Sequence, residues 1–242
     1  MPIEIYVIIA VVVFFTAIMS SIAGFGSGII IIMLFSFFYD IKIAIGLASV
    51  IFLFTNINKI LLFYKTVDWD FVKIMYITML PACGLGVYFF DVVSTEFIKY
   101  FLASFGIFMI IDHIFPFRKS KTIEKFTKPK ILMGGFFMGL FSGLASGGFT
   151  KTFLLQARGL SKEMMVGTGV ILTIGINIIK LPAYMYYDYL HVNEIFLLAP
   201  LYFVNLAGSF LGKKLLKNIS KKLFENIILV IIFCTVVKYL FY

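Results

Sequence analysis

Charge, cysteine, histidine and tryptophan are all scarce in this chain. Its 242 residues include 12 acidic residues, 2 cysteines, 2 histidines and 1 tryptophan, and charged residues make up 14%. A soluble domain carries about a quarter charged residues, so an ordinary aqueous fold is excluded. Cys83 and Cys234 stand singly in apolar runs with no CxxC between them, and both read as core packing rather than metal ligands. No P-loop, HExxH or Ser/His/Asp set is visible, and Asp112-His113 alone is thin ground for acid–base chemistry. The reading is therefore not an enzyme, with no cofactor and no metal. Polar stretches are short as well: the longest, Phe117 to Lys130, is the size of a linker. The opening MPIEIY has no basic region and no small-residue cleavage site after it, so the first apolar run is not read as a signal peptide.

What is abundant is apolar sequence. Hydrophobic residues make up 62% of the chain and mean hydropathy is +1.05. Several runs approach the ~20 residues that span a ~30 Å hydrocarbon core. Apolar segments fall at 5–23, 28–39, 43–64, 71–90 and 95–115, then at 131–145, 150–158, 164–187, 193–212 and 223–241. A net charge of +9 fits the lysine-rich inner loops of a membrane protein better than a nucleic-acid partner.

Five segments precede the basic linker and five follow it, which marks an internal repeat. Displacing one half by 121 residues lays Gly26 on Gly147, Gly46 on Gly167, Asn56 on Asn177 and Lys59 on Lys180. If the second segment of each half is a return stroke, the regions 65–73, 118–130, 158–163 and 213–225 share one side and hold fifteen basic residues. Lys42, Lys99 and Lys238 lie on the other side, so the charge rule places the linker inside and the N-terminus outside. The expected fold class is all-α: a polytopic membrane protein built from two inverted repeats, each a broken-helix hairpin plus three transmembrane helices. A single membrane domain, 1–242, divides into a first repeat (1–117), a cytoplasmic basic linker (118–130) and a second, inverted repeat (131–242).

The hairpin tips are glycine-rich: SIAGFGSGII at 21–30 and its counterpart at Ser146-Gly147-Gly148. A helix starting there aims unpaired N–H groups at the protein interior, where an anion could bind. The alternative is that small residues simply let helices pack closely. Three lysines lie inside apolar segments: Lys59, Lys151 and Lys180. A lysine at the centre of a span costs ~2.5–3.5 kcal/mol and usually faces a cavity or a partner. Snorkelling to the surface is the competing explanation for Lys59, and a kink or helix end at Pro182 competes at Lys180. Asn56 and Asn177 stand three residues before Lys59 and Lys180, on the same helical faces. The candidate substrate-binding residues are thus Gly26, Ser27, Gly28, Asn56, Lys59, Ser146, Gly147, Gly148, Thr150, Lys151, Asn177 and Lys180. A positive interior without a carboxylate cluster suits an anion held near the midplane.

Each half opens with a glycine-rich motif after a small-residue helix (SSIAGFGSGIIIIMLF and MGLFSGLASGGFTKTFLL). Val67-Asp68-Trp69 follows in the first half, and then a Pro-x-x-Gly-x-Gly helix at Pro81, Gly84 and Gly86. This set resembles the sulfite exporter TauE/SafE family, also called the TSUP permeases, over nearly the whole chain. Two departures stand out: the glycine triplet is thinned to Gly-Ser-Gly and Ser-Gly-Gly, and the proline usual a few residues later is missing. The resemblance implies a multi-pass protein of the cell inner (plasma) membrane that carries sulfite or an organosulfonate. It also implies that Gly24 to Gly28 and Ser146 to Gly148 lie at the transport path. The expected partners are a small anionic substrate and the lipid bilayer, with no nucleic acid; a coupling ion such as H+ and a homo-oligomeric state stay open. The reading is a permease working by alternating access, against a passive anion channel or a non-transporting assembly or docking subunit. Cysteines placed at Lys121 and Lys217 should both resist an impermeant thiol reagent applied outside, and one at Asn193 should react. External labelling at Lys217 but not at Lys121 contradicts the inverted arrangement.

Overall fold

Asp40, Asp68 and Ser161 each stand just ahead of a long apolar run, and each begins a helix. Their side chains accept hydrogen bonds from the N–H groups of Lys42 (2.8 Å), Phe71 (3.1 Å) and Met164 (3.3 Å). These are N-caps, which satisfy donors that have no intrahelical partner. The computed structural model describes residues 3–23, 27–114, 127–145, 151, 154–155, 158–215, 233 and 236–237. Among these, all extended regular structure is helical: α1 (Ile3–Ala23), α2 (Ser27–Ser36), α3 (Ile41–Phe63), α4 (Trp69–Val92), α5 (Thr95–Ile114), α6 (Lys128–Leu144), α7 (Lys162–Tyr186), α8 (Val192–Leu198) and α9 (Leu201–Leu215). A short 3-10 turn, Tyr64–Thr66, follows α3.

The stretches Ile41–Leu61, Trp69–Val92 and Glu163–Tyr186 are long and apolar enough to cross a membrane, and α8 with α9 makes a fourth candidate span bent by 45°. The chain is an all-α polytopic membrane protein. The expected single segment at 193–212 is broken at Ala199-Pro200, because Pro200 has no N–H to continue the ladder and its ring crowds the preceding turn. Pro81 and Pro182, by contrast, sit inside continuous helices. Of the expected segments at 150–158 and 223–241, only residues 151, 154–155, 158, 233 and 236–237 are described.

Water does not drive helices together within lipid, so close van der Waals contact must. Glycines provide it here. On α6, Gly135, Gly139 and Gly143 lie in turn against Met75, Met79 and Cys83–Gly86 of α4. The contacts advance together, so these helices run in the same direction. On α9, Gly208 and Gly212 lie against Phe14 and Ile18 of α1, again in the same direction. Gly46 near the start of α3 abuts Tyr189 just after α7, and Gly167 near the start of α7 abuts Phe63 at the end of α3. The central pair α3 and α7 is therefore antiparallel. Each half contributes one long central helix, and each half's first helix packs on a helix of the other half.

Ile9, Val13, Ile31, Phe35, Ile45, Phe90 and Tyr184 share one buried cluster. Phe71, Met75, Met79, Cys83, Met138 and Leu172 share a second. Large apolar side chains such as Phe15, Ile77, Phe89, Ile178 and Phe203 point outward instead, as a lipid-facing surface requires. The glycine contacts set a sharp contrast. A Cβ at Gly139 would overlap the backbone of Met79, whereas one at Gly84 would meet nothing within 4 Å. Gly139→Leu should cost at least about 1–3 kcal/mol through overpacking. Gly84→Ala should be neutral or stabilise by up to about 1 kcal/mol. Thermal unfolding of the purified protein in detergent measures both, and equal effects would refute this packing scheme.

Candidate functional site

A helix that stops leaves its last four carbonyl groups without intrahelical donors. In the last turn of α1, Ser20 meets Lys59 of α3: the ammonium donates to Ser20 O at 2.9 Å and to Ser20 Oγ at 2.5 Å. At the end of α6, Lys180 of α7 donates to Ala145 O at 3.0 Å, and its Nζ lies 5.1 Å from the centre of the Tyr184 ring. Tyr184 Oη in turn donates to Gly143 O at 3.1 Å. Both broken helices thus end against a lysine from the long helix of their own half.

Burial decides between the explanations for these lysines. Lys59 is 4% exposed and Lys180 3%, so neither reaches the surface by snorkelling. Burying each costs ~2.5–3.5 kcal/mol. A cation at a helix C-terminus returns up to ~2 kcal/mol, and hydrogen bonds to a charged group contribute about 1.5–3 kcal/mol each. The helix ends can therefore hold the charges where they are. Lys59 and Lys180 each lie about five turns into α3 and α7, and those helices are antiparallel, so the two helix ends are displaced toward opposite faces rather than meeting at the midplane.

Lys151 donates to Thr173 Oγ1 of α7 at 3.0 Å, with its stem against Gly169. It also lies within electrostatic reach of Lys59. The two asparagines differ. Asn56 Nδ2 donates back to Phe52 O at 2.6 Å, whereas Asn177, 2% exposed, has no partner for its Nδ2 among the described residues. Ser27 opens α2 and Gly28 follows it, half-buried. Gly26, Ser146, Gly147, Gly148 and Thr150 lie outside the described residues, as does Cys234. Cys83 is buried, with its thiol 3.9 Å from Ile176 O. Among the described residues no three His, Cys, Asp or Glu side chains are grouped to hold a metal.

Sequence reasoning missed a second polar set. Asn58 Nδ2 donates to Asn205 Oδ1 at 3.1 Å, Asn205 Nδ2 donates to Thr55 Oγ1 at 2.8 Å, and Ser209 joins at 3.4 Å. All four residues are buried, and they tie α3 to α9 across the halves. Asn205 and Ser209 are polar residues four apart in an apolar segment, which was the available signal.

Polar contacts also join the halves at both ends. At one end Lys42 Nζ donates to Asp91 O at 2.9 Å, and Tyr189 Oη donates to Asp91 Oδ1 at 3.0 Å. Burial, and then the bond to Asp91, push the Tyr189 phenol up to about 12. At the other end Thr168 Oγ1 accepts from Asp68 N–H at 3.0 Å, Thr66 Oγ1 donates to Glu163 O at 3.0 Å, and Arg158 pairs with Asp68 at 3.4 Å. Lys65, Lys73, Lys128, Lys130, Lys162 and Lys214 all belong to helix ends or turns at this second end, while Lys42 and Lys99 belong to the first.

Apolar crossing helices, helices that end within the bundle and buried ammonium groups at those ends define a multi-pass membrane protein. A model of the family described as Sulfite exporter TauE/SafE matches residues 9–239, and the chain belongs to that family. Comparisons with curated proteins and with solved structures give no match.

Asp68, the acid of the Val-Asp-Trp motif, both caps α4 and pairs with Arg158, so two substitutions separate its roles. Arg158 is 33% exposed, and such a pair contributes less than about 1 kcal/mol, the most Asp68→Asn should cost while the cap is kept. Asp68→Ala loses the cap as well and should cost about 1 kcal/mol more. Chemical or thermal unfolding resolves the difference, and equal losses would show that the cap contributes nothing.

Proposed function

We propose that the chain is a permease that moves a small sulfur-containing anion, sulfite or an organosulfonate, by alternating access. Its family is the first support. The observation that carries the proposal is the set of three ammonium groups inside the bundle, Lys59, Lys151 and Lys180. Among the described residues their hydrogen-bond partners are neutral oxygens only. Positive charge without an acidic partner attracts an anion more strongly away from water. Sulfite and sulfonates present several acceptor oxygens and no apolar bulk at the charged end, which suits ammonium donors.

The inverted repeat belongs to the same proposal. The helix directions support it: α3 opposes α7, while α1 follows α9 and α4 follows α6. In this arrangement the basic end, with Lys65, Lys128, Lys130, Arg158 and Lys162, faces the cytoplasm of a cell whose plasma membrane holds the protein. The contacts at Asp91–Tyr189 and at Asp68–Arg158–Thr168 both link one half to the other. Rocking the halves would open one set while the other holds, exposing the lysines to alternate sides.

Uptake of radiolabelled sulfite into liposomes holding the purified protein tests the reading. Lys151→Gln keeps a donor for Thr173 and should lower kcat/KM by about tenfold or more, the scale of one hydrogen bond to a charge. Lys59→Gln and Lys180→Gln should lower it at least as far. Unchanged uptake in all three folded variants would remove these lysines from the mechanism.

A further inference from the structure

The two halves match at Asn56/Lys59 and Asn177/Lys180, and four observations separate the pairs. The Asn56 amide nitrogen donates within its own helix to Phe52 O. The Asn177 amide nitrogen is buried and has no hydrogen-bond partner among the described residues. Lys59 directs two bonds to Ser20, whereas Lys180 directs one to Ala145. An ammonium has three N–H donors and a primary amide two. Among the described residues the second half therefore uses one of its five donors, where the first half uses three.

Spare donors in a water-poor interior are costly and are normally met by something. Asn177 and Lys180 are three residues apart on α7, so they share a helical face. Cys83 of α4 lies beside that face: its thiol approaches Ile176 O, and it is within electrostatic reach of Lys180. No acidic side chain bonds either Asn177 or Lys180 among the described residues.

Resting on the anion-permease reading above, we infer that the anion's binding station is asymmetric and is built by the second half, with Asn177 Nδ2 and Lys180 Nζ as its donors. Lys59 mainly holds the end of α1. Two convergent kinds of N–H donor select an anion with at least two oxygens on one centre, so sulfite and sulfonates are bound and chloride is a poor substitute. The neutral amide adds directed hydrogen bonds without adding to the repulsion among the lysines, and this makes Asn177 a specificity residue.

The test is titration of purified protein in lipid nanodiscs with sodium sulfite, methanesulfonate and chloride, followed by calorimetry. Wild-type protein should bind the first two and chloride at least about tenfold more weakly. Asn177→Leu, which removes the donors and leaves an apolar side chain of similar size, should weaken sulfite binding by about tenfold. Asn177→Gln should recover part of that loss, and Asn56→Leu should lose less than Asn177→Leu. Tyr6 Oη on α1 also lacks a partner among the described residues, so Tyr6→Phe controls for simple removal of a buried polar atom and should bind as wild type. If wild-type protein binds sulfite and Asn177→Leu binds it equally well, or Asn56→Leu loses as much, the asymmetric station is wrong and the permease reading stands. If wild-type protein binds neither sulfur anion, the permease reading fails and the station fails with it.

Discussion

Inside a bilayer a helix end has no water to complete its hydrogen bonds, and α1 and α6 meet that constraint with a lysine ammonium. Lys59 closes the end of α1 through Ser20, and Lys180 closes the end of α6 through Ala145. The glycine-rich interruptions that follow are tolerable because the carbonyls before them are bonded. The same bonds fix two positive charges deep in the protein with no acidic partner among the described residues. One interaction thus serves the fold and sets the sign of the interior. An apolar side chain at either place would leave a buried carbonyl unpaired, and an acidic one would add repulsion at the negative end of a helix.

The remaining packing follows from holding those ends in place. α1 and α6 must lie close to helices that cross beside them, and glycine surfaces on α9 and α6 permit it. The halves interlock through these contacts, through the Asn58–Asn205–Thr55 chain, and through a polar cluster at each end. The interlocking concentrates the links between the halves in discrete sets, and discrete sets are what a rocking motion can break and remake. Function on this account belongs to the contacts between halves and to the charge that they enclose.

Much of this was legible in the sequence because lipid restricts the possibilities so strongly. Apolar runs gave helix positions to within a few residues, as at Ile41–Phe63 and Trp69–Val92. Asn56, Lys59, Asn177 and Lys180 stood out because polar residues in spans are costly. Their partners were not legible, since nothing local says that Lys59 reaches back to Ser20 across 39 residues. The difference between Asn56 and Asn177 was hidden too, because identical residues at matched places differ only in which acceptor lies nearby. The bend at Pro200 was readable from a proline within an apolar run, yet Pro81 and Pro182 sit in unbroken helices, so the residue type alone does not decide.

The central claim is that an anion is held on this positive interior and carried by alternate exposure to the two sides. Counterflow tests it most directly: liposomes containing the protein are preloaded with unlabelled sulfite, and the entry of a trace of labelled sulfite is followed. A carrier should show entry accelerated by the internal load and saturating with external sulfite. Entry that ignores the internal load and rises linearly with concentration would contradict the account.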